Sequence, residues 1–357
     1  MAKKVVYKKD PLSFSNKKNP LVSVVTTAYN NEKFNKKYFN TINNQTYKNI
    51  EVIFVDNLST DNTVEDAKNR LKRGKVVASK VNTGCAGGNN LGVLEAKGKY
   101  IFLLGPDTWI DRRCVESLVK KVEKNDNNVY AARQMTYDGK EFISCGISGD
   151  LFGYPARTYS LDGKKQKRKI FYADGSGIFI LRKNYEKVGM MDEETFLFAE
   201  DVDLSWKCHM IGMDVVPVHG AIIYHYSGGA VGIGGYPKGG GKYETNSNRR
   251  FMAERNIIRN ILKNYRWWNI LWVLPFYILI NVFEMVAMVA TGQFSAITKT
   301  YIKAYIWNLI NLKSTLKKRG FIQKIRTVGD LGVIRKMHLF PHKYYALLEL
   351  GVPKINV

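Results

Sequence analysis

The sequence predicts an α/β fold: a mostly parallel, Rossmann-like sheet with helices on both faces, followed by a C-terminal helical region that associates with a membrane. Three observations predict it. Short β-rich runs alternate with helical stretches from Leu21 to Lys124, the pattern of a parallel sheet wound on both faces. Tyr100-Ile101-Phe102-Leu103-Leu104 is apolar throughout and stops at Gly105-Pro106, as a strand covered on both faces does. After Trp267 the chain changes character and becomes apolar and basic together.

The elements follow in order. Residues 1–20 are polar and Lys-rich and read as a basic flexible arm. They hold no apolar core of signal-peptide length, so the start of the chain is not expected to be exported. Val22–Thr27 is the first strand and Lys37–Gln45 a helix. Glu51–Val55 is the second strand and ends in Asp56. Thr60-Asp61 caps a helix running to Arg70. Lys75–Ser79 is the third strand, Asn89–Ala96 a helix, Tyr100–Leu104 the fourth strand and Arg112–Lys124 a helix. Residues 130–185 hold short strands, turns and a basic loop, Gly163–Lys169. A turn and a helix occupy Val188–Ile211. The Gly-rich stretch Gly228–Gly241 reads as a mobile loop. An α/β domain is expected over 21–265 and a separate helical region over 266–357.

Trp267–Ala290 is apolar almost all round, broken by Asn269, Pro275, Asn281 and Glu284. It is long enough to span a bilayer. Basic residues flank it on both sides, Arg255, Arg259, Lys263 and Arg266 before and Lys313, Lys317, Lys318, Arg319, Lys324 and Arg326 after. A single span would leave one basic cluster on the outer side, against the positive-inside bias. The favoured reading is peripheral or monotopic helices on the cytoplasmic face, held by apolar area and anionic lipid. A true span, a buried core helix and a homodimer helix are the other readings. The formal charge of +24 points to a polyanionic partner: nucleic acid, an anionic membrane or a phosphorylated substrate. The four cysteines, Cys85, Cys114, Cys145 and Cys208, form no CxxC pair and read as reduced thiols.

Asp107 is a carboxylate placed just beyond a buried strand. In open α/β sheets ligands sit outside the carboxyl ends of the strands. An acid there suits a divalent cation and, through it, a nucleoside diphosphate; it also suits a turn before the helix near Asp111. The first strand ends in Thr26-Thr27-Ala28-Tyr29-Asn30 and the second in Asp56-Asn57-Leu58-Ser59-Thr60-Asp61. No G-x-G-x-x-G follows the first strand, which excludes a dinucleotide fingerprint. Gly241-Lys242 is followed by Tyr243, which excludes a Walker A loop. A nucleotide that is neither a dinucleotide nor a hydrolysed triphosphate is left.

Six segments in order carry a resemblance. They are Val24–Asn30, Val55–Asp61, Asn82–Gly92, Gly105–Thr108, Gly189–Glu193 and Phe198–Leu204. The chain resembles an inverting glycosyltransferase of family 2, with the A-type (GT-A) nucleotide-sugar fold, and is most similar to rhamnosyltransferase-like enzymes that extend surface glycans. The resemblance covers about residues 22–265 and implies site roles by position. Asp56, Thr27, Tyr29 and Asn30 would line the base and ribose pocket. Asn82 and the loop Gly84, Gly87, Gly88 and Asn89 would pass the ribose and diphosphate, where small residues let the backbone approach. Pro106 and Asp107 would lie at the diphosphate, and Asp174 under the donor sugar, where a turn role is the other reading. Asp107 matches the last acid of the family's Asp-X-Asp motif, but Gly105 replaces the earlier one. His225, at the end of Ile222–Tyr226, matches a family histidine that reaches the metal, and imidazole suits manganese; a structural histidine is the other reading. Mn2+ or Mg2+ is the implied cofactor. Asp201 matches the family's catalytic base, with Glu200 or Asp203 positioning the acceptor or the base; acids favoured by a helix N-terminus are the other reading.

The expected function is transfer of a sugar from a nucleotide-sugar donor, dTDP-rhamnose or a UDP-sugar, to a glycan hydroxyl. The expected acceptor is polyprenyl- or dolichyl-diphosphate-linked. The rivals are a basic nucleic-acid-binding protein and a non-catalytic scaffold. No RNA or DNA motif accompanies the charge, so no nucleic-acid partner is expected.

Overall fold

A computed structural model of the chain describes residues 4–9, 19–156, 170–226 and 244–357. The expected loops Gly163–Lys169 and Gly228–Gly241 lie outside the described residues. The chain divides into two compact units. The first comprises Met1–Ile147, Tyr172–Phe196 and Met213–Ala230, and the second Ser148–Phe171, Leu197–Gly212 and Val231–Val357.

The first unit is built on a 10-stranded sheet. Its strands are β1 (Lys4–Lys9), β2 (Val22–Ala28), β3 (Ile50–Asp56), β4 (Gly74–Ser79), β5 (Tyr100–Leu104), β6 (Thr108–Ile110), β7 (Val129–Thr136) and β8 (Phe142–Ser144). After β9 (Ser148–Gly149) and β10 (Pro155–Ala156) of the second unit come β11 (Gly177–Leu181) and β12 (Val215–His225). The order is β1-β4-β3-β2-β5-β11-β7-β12-β6, with β8 beside β7. The run β4-β3-β2-β5 is parallel, as the βα alternation requires. The other half is mixed: β11 lies antiparallel to β5 and β7, and β12 is parallel to β7 but antiparallel to β6. The sheet is therefore mixed, not mostly parallel, because antiparallel neighbours need no crossover helix and leave no βα alternation to read.

Lys4–Lys9, expected within a flexible arm, is instead an edge strand. It pairs antiparallel with β4 from Lys4 opposite Ser79 to Lys9 opposite Gly74. It covers an edge that would otherwise present open backbone groups. Helix α1 (Glu32–Asn43) starts five residues before the expected Lys37 and buries Phe34, Tyr38, Phe39 and Ile42, the last three on the core of β2, β3 and β5. Helices α2 (Thr63–Arg70), α3 (Gly84–Glu95), α4 (Cys114–Val122) and α5 (Arg182–Lys187) complete the unit. The segment Gly84–Asn89, expected as a loop, is the first part of α3. A Cβ on Gly88 would come 2.2 Å from Thr27 Cγ2, and one on Gly92 would come 2.4 Å from Val25 Cγ1. These glycines let a helix lie against β2, a packing gain that outweighs the low helix propensity of glycine.

The second unit is mainly helical. It contains α6 (Glu200–Met210), α7 (Ser247–Asn264) and α8 (Trp267–Ala290), followed by shorter helices to Leu350. Two of the four breaks in α8, Asn281 and Glu284, face inward. They are buried with Ile270, Val273, Tyr277 and Met288. Glu284 takes both oxygens to Arg250 Nη2, at 2.5 and 2.7 Å, and lies 2.8 Å from Lys343 Nζ. Lys343 also holds Glu254 at 2.7 Å, and Arg250 Nε lies 3.1 Å from Glu254. The opposite face of α8 is apolar and exposed: Trp268, Leu271, Phe283 and Val286 are each more than half exposed. Arg255, Arg259, Lys263 and Arg319, read from sequence as flanking basic residues, are buried. Arg266, Lys299, Lys303, Lys313, Lys317 and Lys324 stay exposed.

Candidate active site

The carboxyl ends of β2, β3 and β5 place the residues expected at the donor, all in the first unit. Asp56 closes β3 and is buried. Its Oδ2 accepts from Ser59 N at 3.2 Å, while its Oδ1 is buried and takes no hydrogen bond from any described residue. Burial raises its pKa against the hydrogen bonds from Ser59 and Leu58 that lower it. A donor N–H or O–H arriving from a ligand would satisfy Oδ1 and favour the ionised form. Tyr29, 39% exposed, stands at the end of β2. Asn30 has a left-handed backbone, φ 50, and its Oδ1 accepts from Thr60 N at 2.8 Å, so it pins the loop after Asp56. Thr27 Oγ1 donates to Asn89 Oδ1 at 2.9 Å.

Asn57 organises the next turn. Its Nδ2 donates to Asn82 Oδ1 and to Gly84 O, both at 3.0 Å, and its Oδ1 accepts from Thr83 N at 2.9 Å. Gly84 has φ +68, and a Cβ there would fall 2.2 Å from the carbonyl oxygen of Phe196. Gly87 is equally constrained, with Thr83 Cβ 2.6 Å from a Cβ built on it.

Asp107 and His225 meet. His225 closes β12 opposite Thr108 of β6, and its Nε2 lies 3.2 Å from Asp107 Oδ1. Asp107 is buried. Its carbonyl accepts from Tyr226 N at 3.1 Å, and the carbonyl of Pro106 accepts from Asn31 Nδ2 at 2.9 Å. Ser176 supports the histidine from behind, 3.3 Å from its Nδ1. Ser176 accepts from Gln134 Nε2 at 2.7 Å and gives its own proton to Asp174. Asp174 also accepts from Ser176 N at 2.9 Å, so it reaches His225 through one hydroxyl. Burial lowers the pKa of His225, but the hydrogen bond and charge of Asp107, with the charge of Asp174, outweigh it and hold the imidazole above its usual value.

Gly105 stands where the resemblance led to the expectation of an earlier acid. A Cβ there would come 2.9 Å from Ser176 Cβ and 3.3 Å from Asp107 Oδ1, so the turn excludes a side chain. Among the described residues no group of three His, Cys, Asp or Glu side chains gathers to hold a metal. One carboxylate oxygen and one imidazole nitrogen fit a divalent cation that takes its remaining oxygens from a bound diphosphate and water.

The expected acids of catalysis belong to the second unit, at the N-terminus of α6. Phe198 and Ala199 precede them with φ of 69 and 60, an uncommon conformation for residues other than glycine. Asn256 Nδ2 donates to the carbonyls of Leu197 and Phe198 at 2.9 and 2.7 Å, and Asn260 Nδ2 donates to that of Ala199 at 3.0 Å. The turn is thus held by two buried amides of α7. Glu200 and Asp203, three residues apart, share the inward face of α6 and are buried, whereas Asp201 is half-buried. Asp203 is locked between Lys207 Nζ at 3.0 Å and Lys263 Nζ at 2.9 Å, with Asn264 Nδ2 at 3.0 Å. In that geometry Asp203 anchors α6 to α7 through two lysines and an amide.

Residues 23–189 match the sequence profile of glycosyl transferase family 2. This segment is a glycosyl transferase family 2 domain. An uncharacterized glycosyltransferase of Haemophilus influenzae is 36% identical over 193 residues, 51% of this chain and 58% of that protein. The Escherichia coli WfaP, a UDP-Glc:alpha-D-GlcNAc-diphosphoundecaprenol beta-1,3-glucosyltransferase, is 34% identical over 131 residues, 36% of this chain and 50% of that protein. The chain thus spans about half the length of these curated relatives. Two solved structures share its GT-A-like fold. GalNAc-T7 with UDP, GalNAc and Mn2+ has a TM-score of 0.60 at 14% identity, covering 95% of this chain and 60% of that one. The mannosyltransferase PcManGT from Pyrobaculum calidifontis in complex with GDP-Man and Mn2+ has a TM-score of 0.51 at 14% identity, covering 86% of each chain.

Within the family 2 domain, the sequence reading gave no role to Asn31, Asn57, Gln134 and Ser176. The last two carried no signal, because 42 residues separate them and only the sheet joins them. His225 lies beyond the matched segment.

Proposed function

We propose that the chain is an inverting, metal-dependent glycosyltransferase that moves a sugar from a nucleoside-diphosphate donor to a hydroxyl of a lipid-diphosphate-linked glycan. The observation that carries the reading is the pairing of Asp107 with His225 at the strand ends of a sheet whose β3 presents Asp56 with a buried, unsatisfied oxygen. A carboxylate oxygen so placed accepts well from the imide N–H of uracil or thymine, which supports a UDP- or dTDP-sugar. Asp107 and His225 would hold Mn2+ or Mg2+ with the diphosphate, and the cation supplies charge neutralisation for the leaving group. Asp201 takes the proton of the acceptor hydroxyl as its oxygen bonds to the anomeric carbon. The bond from that carbon to the phosphate oxygen breaks, and the nucleoside diphosphate leaves with the electron pair. The acceptor in the name of WfaP supports a lipid-diphosphate carrier.

A panel of UDP-sugars and dTDP-rhamnose, run as thermal shifts with and without manganese, tests the donor. One nucleotide class should raise the melting temperature only with metal. No stabilisation by any member would reject the donor reading.

The exposed apolar face of α8 and the exposed basic residues around it support monotopic attachment to the cytoplasmic face of the membrane. Vesicles containing phosphatidylglycerol should co-sediment the protein, and substituting Leu271 and Phe283 by Asp should release it. Sedimentation as a dimer without vesicle binding would assign this face to a second copy of the chain instead.

A further inference from the structure

On the side of the Asp107–His225 pair away from Asp56 lies an aromatic patch that the donor reading does not use. Asp56 ends β3, two strands to one side of β5; the patch stands where β7 and β12 end and β6 begins, on the other side of β5. Tyr226 follows the candidate metal ligand directly and is 52% exposed. Its ring centroid lies 5.0 Å from Phe34 and 5.7 Å from Tyr137, and Phe34 lies 6.0 Å from Tyr137. Tyr226 N also donates to the carbonyl of Asp107 at 3.1 Å, so the patch borders the Asp107–His225 pair.

Two lysines of α1 rest on these rings. Lys33 Nζ lies 4.8 Å from the Phe34 centroid and 5.4 Å from that of Tyr226. Lys37 Nζ lies 4.0 Å from Trp109 and 4.4 Å from Tyr137, and Trp109 is itself stacked on Tyr224 at 3.6 Å. Neither lysine has a carboxylate within ion-pair distance among the described residues, although Glu65, Asp66, Glu95 and Glu116 each pair with a neighbouring cation. Both lysines also stand on the wall of a cleft of about 900 Å3 between α1 and α2, where Lys36, Arg70 and Lys72 join them and no acidic side chain appears.

An exposed tyrosine face suits a sugar ring, through stacking of its C–H face. Ammonium groups without a protein anion, fixed above aromatic rings, suit a phosphate next to that ring. We infer that Tyr226, Phe34 and Tyr137 with Lys33 and Lys37 form an acceptor subsite that takes a phosphorylated sugar beside the Asp107–His225 pair. The inference deepens the glycosyltransferase reading and rests on it. It names the acceptor chemistry: a sugar carrying a phosphate ester, with further phosphates of a longer acceptor following the basic cleft.

Calorimetric titration of the full chain tests it, with glucose 1-phosphate and glucose as probes in EDTA without nucleotide. Glucose 1-phosphate should bind saturably and glucose at least 10-fold more weakly. The double variant Lys33→Gln/Lys37→Gln should lose binding at least 10-fold, Tyr226→Ala should weaken it several-fold, and Asp56→Ala should retain it. Absence of saturable binding overturns the subsite, as does binding that survives the double lysine variant. Displacement of glucose 1-phosphate by saturating UDP also overturns it, by placing the sugar phosphate in the donor pocket. A parallel titration with UDP and manganese separates the two readings. UDP binding without glucose 1-phosphate binding rejects the subsite alone; failure of both ligands rejects the glycosyltransferase reading with it.

Discussion

Alanine at Asp107 is expected to lower sugar transfer roughly 100- to 1,000-fold and to remove the manganese-dependent part of nucleotide binding. The size of the effect follows from the turn. Gly105 cannot supply a second acid, since a side chain there meets Ser176 and Asp107 itself. His225 is held at its Nδ1 by Ser176 and depends on Asp107 for the anionic partner on Nε2. Removing the carboxylate leaves a single neutral nitrogen, which is a weak site for a hard cation that prefers oxygen. Titration calorimetry of the nucleotide with and without manganese measures the loss directly. If manganese strengthened nucleotide binding equally in Asp107→Ala and in the parent protein, Asp107 would not be a metal ligand. The Ser176→Ala variant is expected to weaken metal binding less, about 10- to 100-fold, because it frees the imidazole to rotate without deleting a ligand.

Much of this site was legible because parallel strands place their carboxyl ends side by side. Thr27, Asp56 and Asp107 follow apolar runs that any reading marks as strands, so the topology brings them to one rim of the sheet. His225, near the end of Ile222–Tyr226, was marked by the resemblance and not by the strand pattern alone. What was not legible depends on packing across the sheet. Gly84–Asn89 reads as a loop because glycine disfavours helices, and only the contact of Gly88 with Thr27 reveals why a helix tolerates it. Lys4–Lys9 reads as an arm because its lysines are polar, while its pairing with β4 is a backbone matter that composition does not record. The chain from Gln134 through Ser176 to His225 spans β7, the turn before β11 and the end of β12, which meet only once the mixed half of the sheet has formed. The basic residues of the C-terminal region look alike in sequence, yet Lys263 and Arg319 are buried and Lys313 and Lys317 are exposed.

The acidic cluster at α6 gives the sharpest contrast between neighbours, and two substitutions separate them. Successive helix residues turn by about 100°, so Asp201 and Asp203 point away from each other although only one residue lies between them. Asp201→Asn is expected to reduce transfer about 100- to 10,000-fold, the range for loss of a general base. Nucleotide and manganese binding should be unchanged, since the residues proposed to hold the donor belong to the other unit. The fold should be kept, because asparagine preserves the acceptor oxygen that Val202 N contacts at 2.8 Å. Asp203→Asn is expected to act in the opposite way. It leaves Lys207 and Lys263 buried without their anion, a loss of about 3–5 kcal/mol of stability, while transfer per folded molecule should stay within a few-fold of the parent. Single-turnover transfer assays combined with thermal melts distinguish the outcomes. Full turnover by Asp201→Asn would remove it as the base. A melt unchanged in Asp203→Asn, with transfer abolished, would return Asp203 to the chemistry. The buried amides of Asn256 and Asn260 hold Phe198 and Ala199 in their left-handed turn, so the backbone that aims Asp201 is set by α7 and not by the acids themselves.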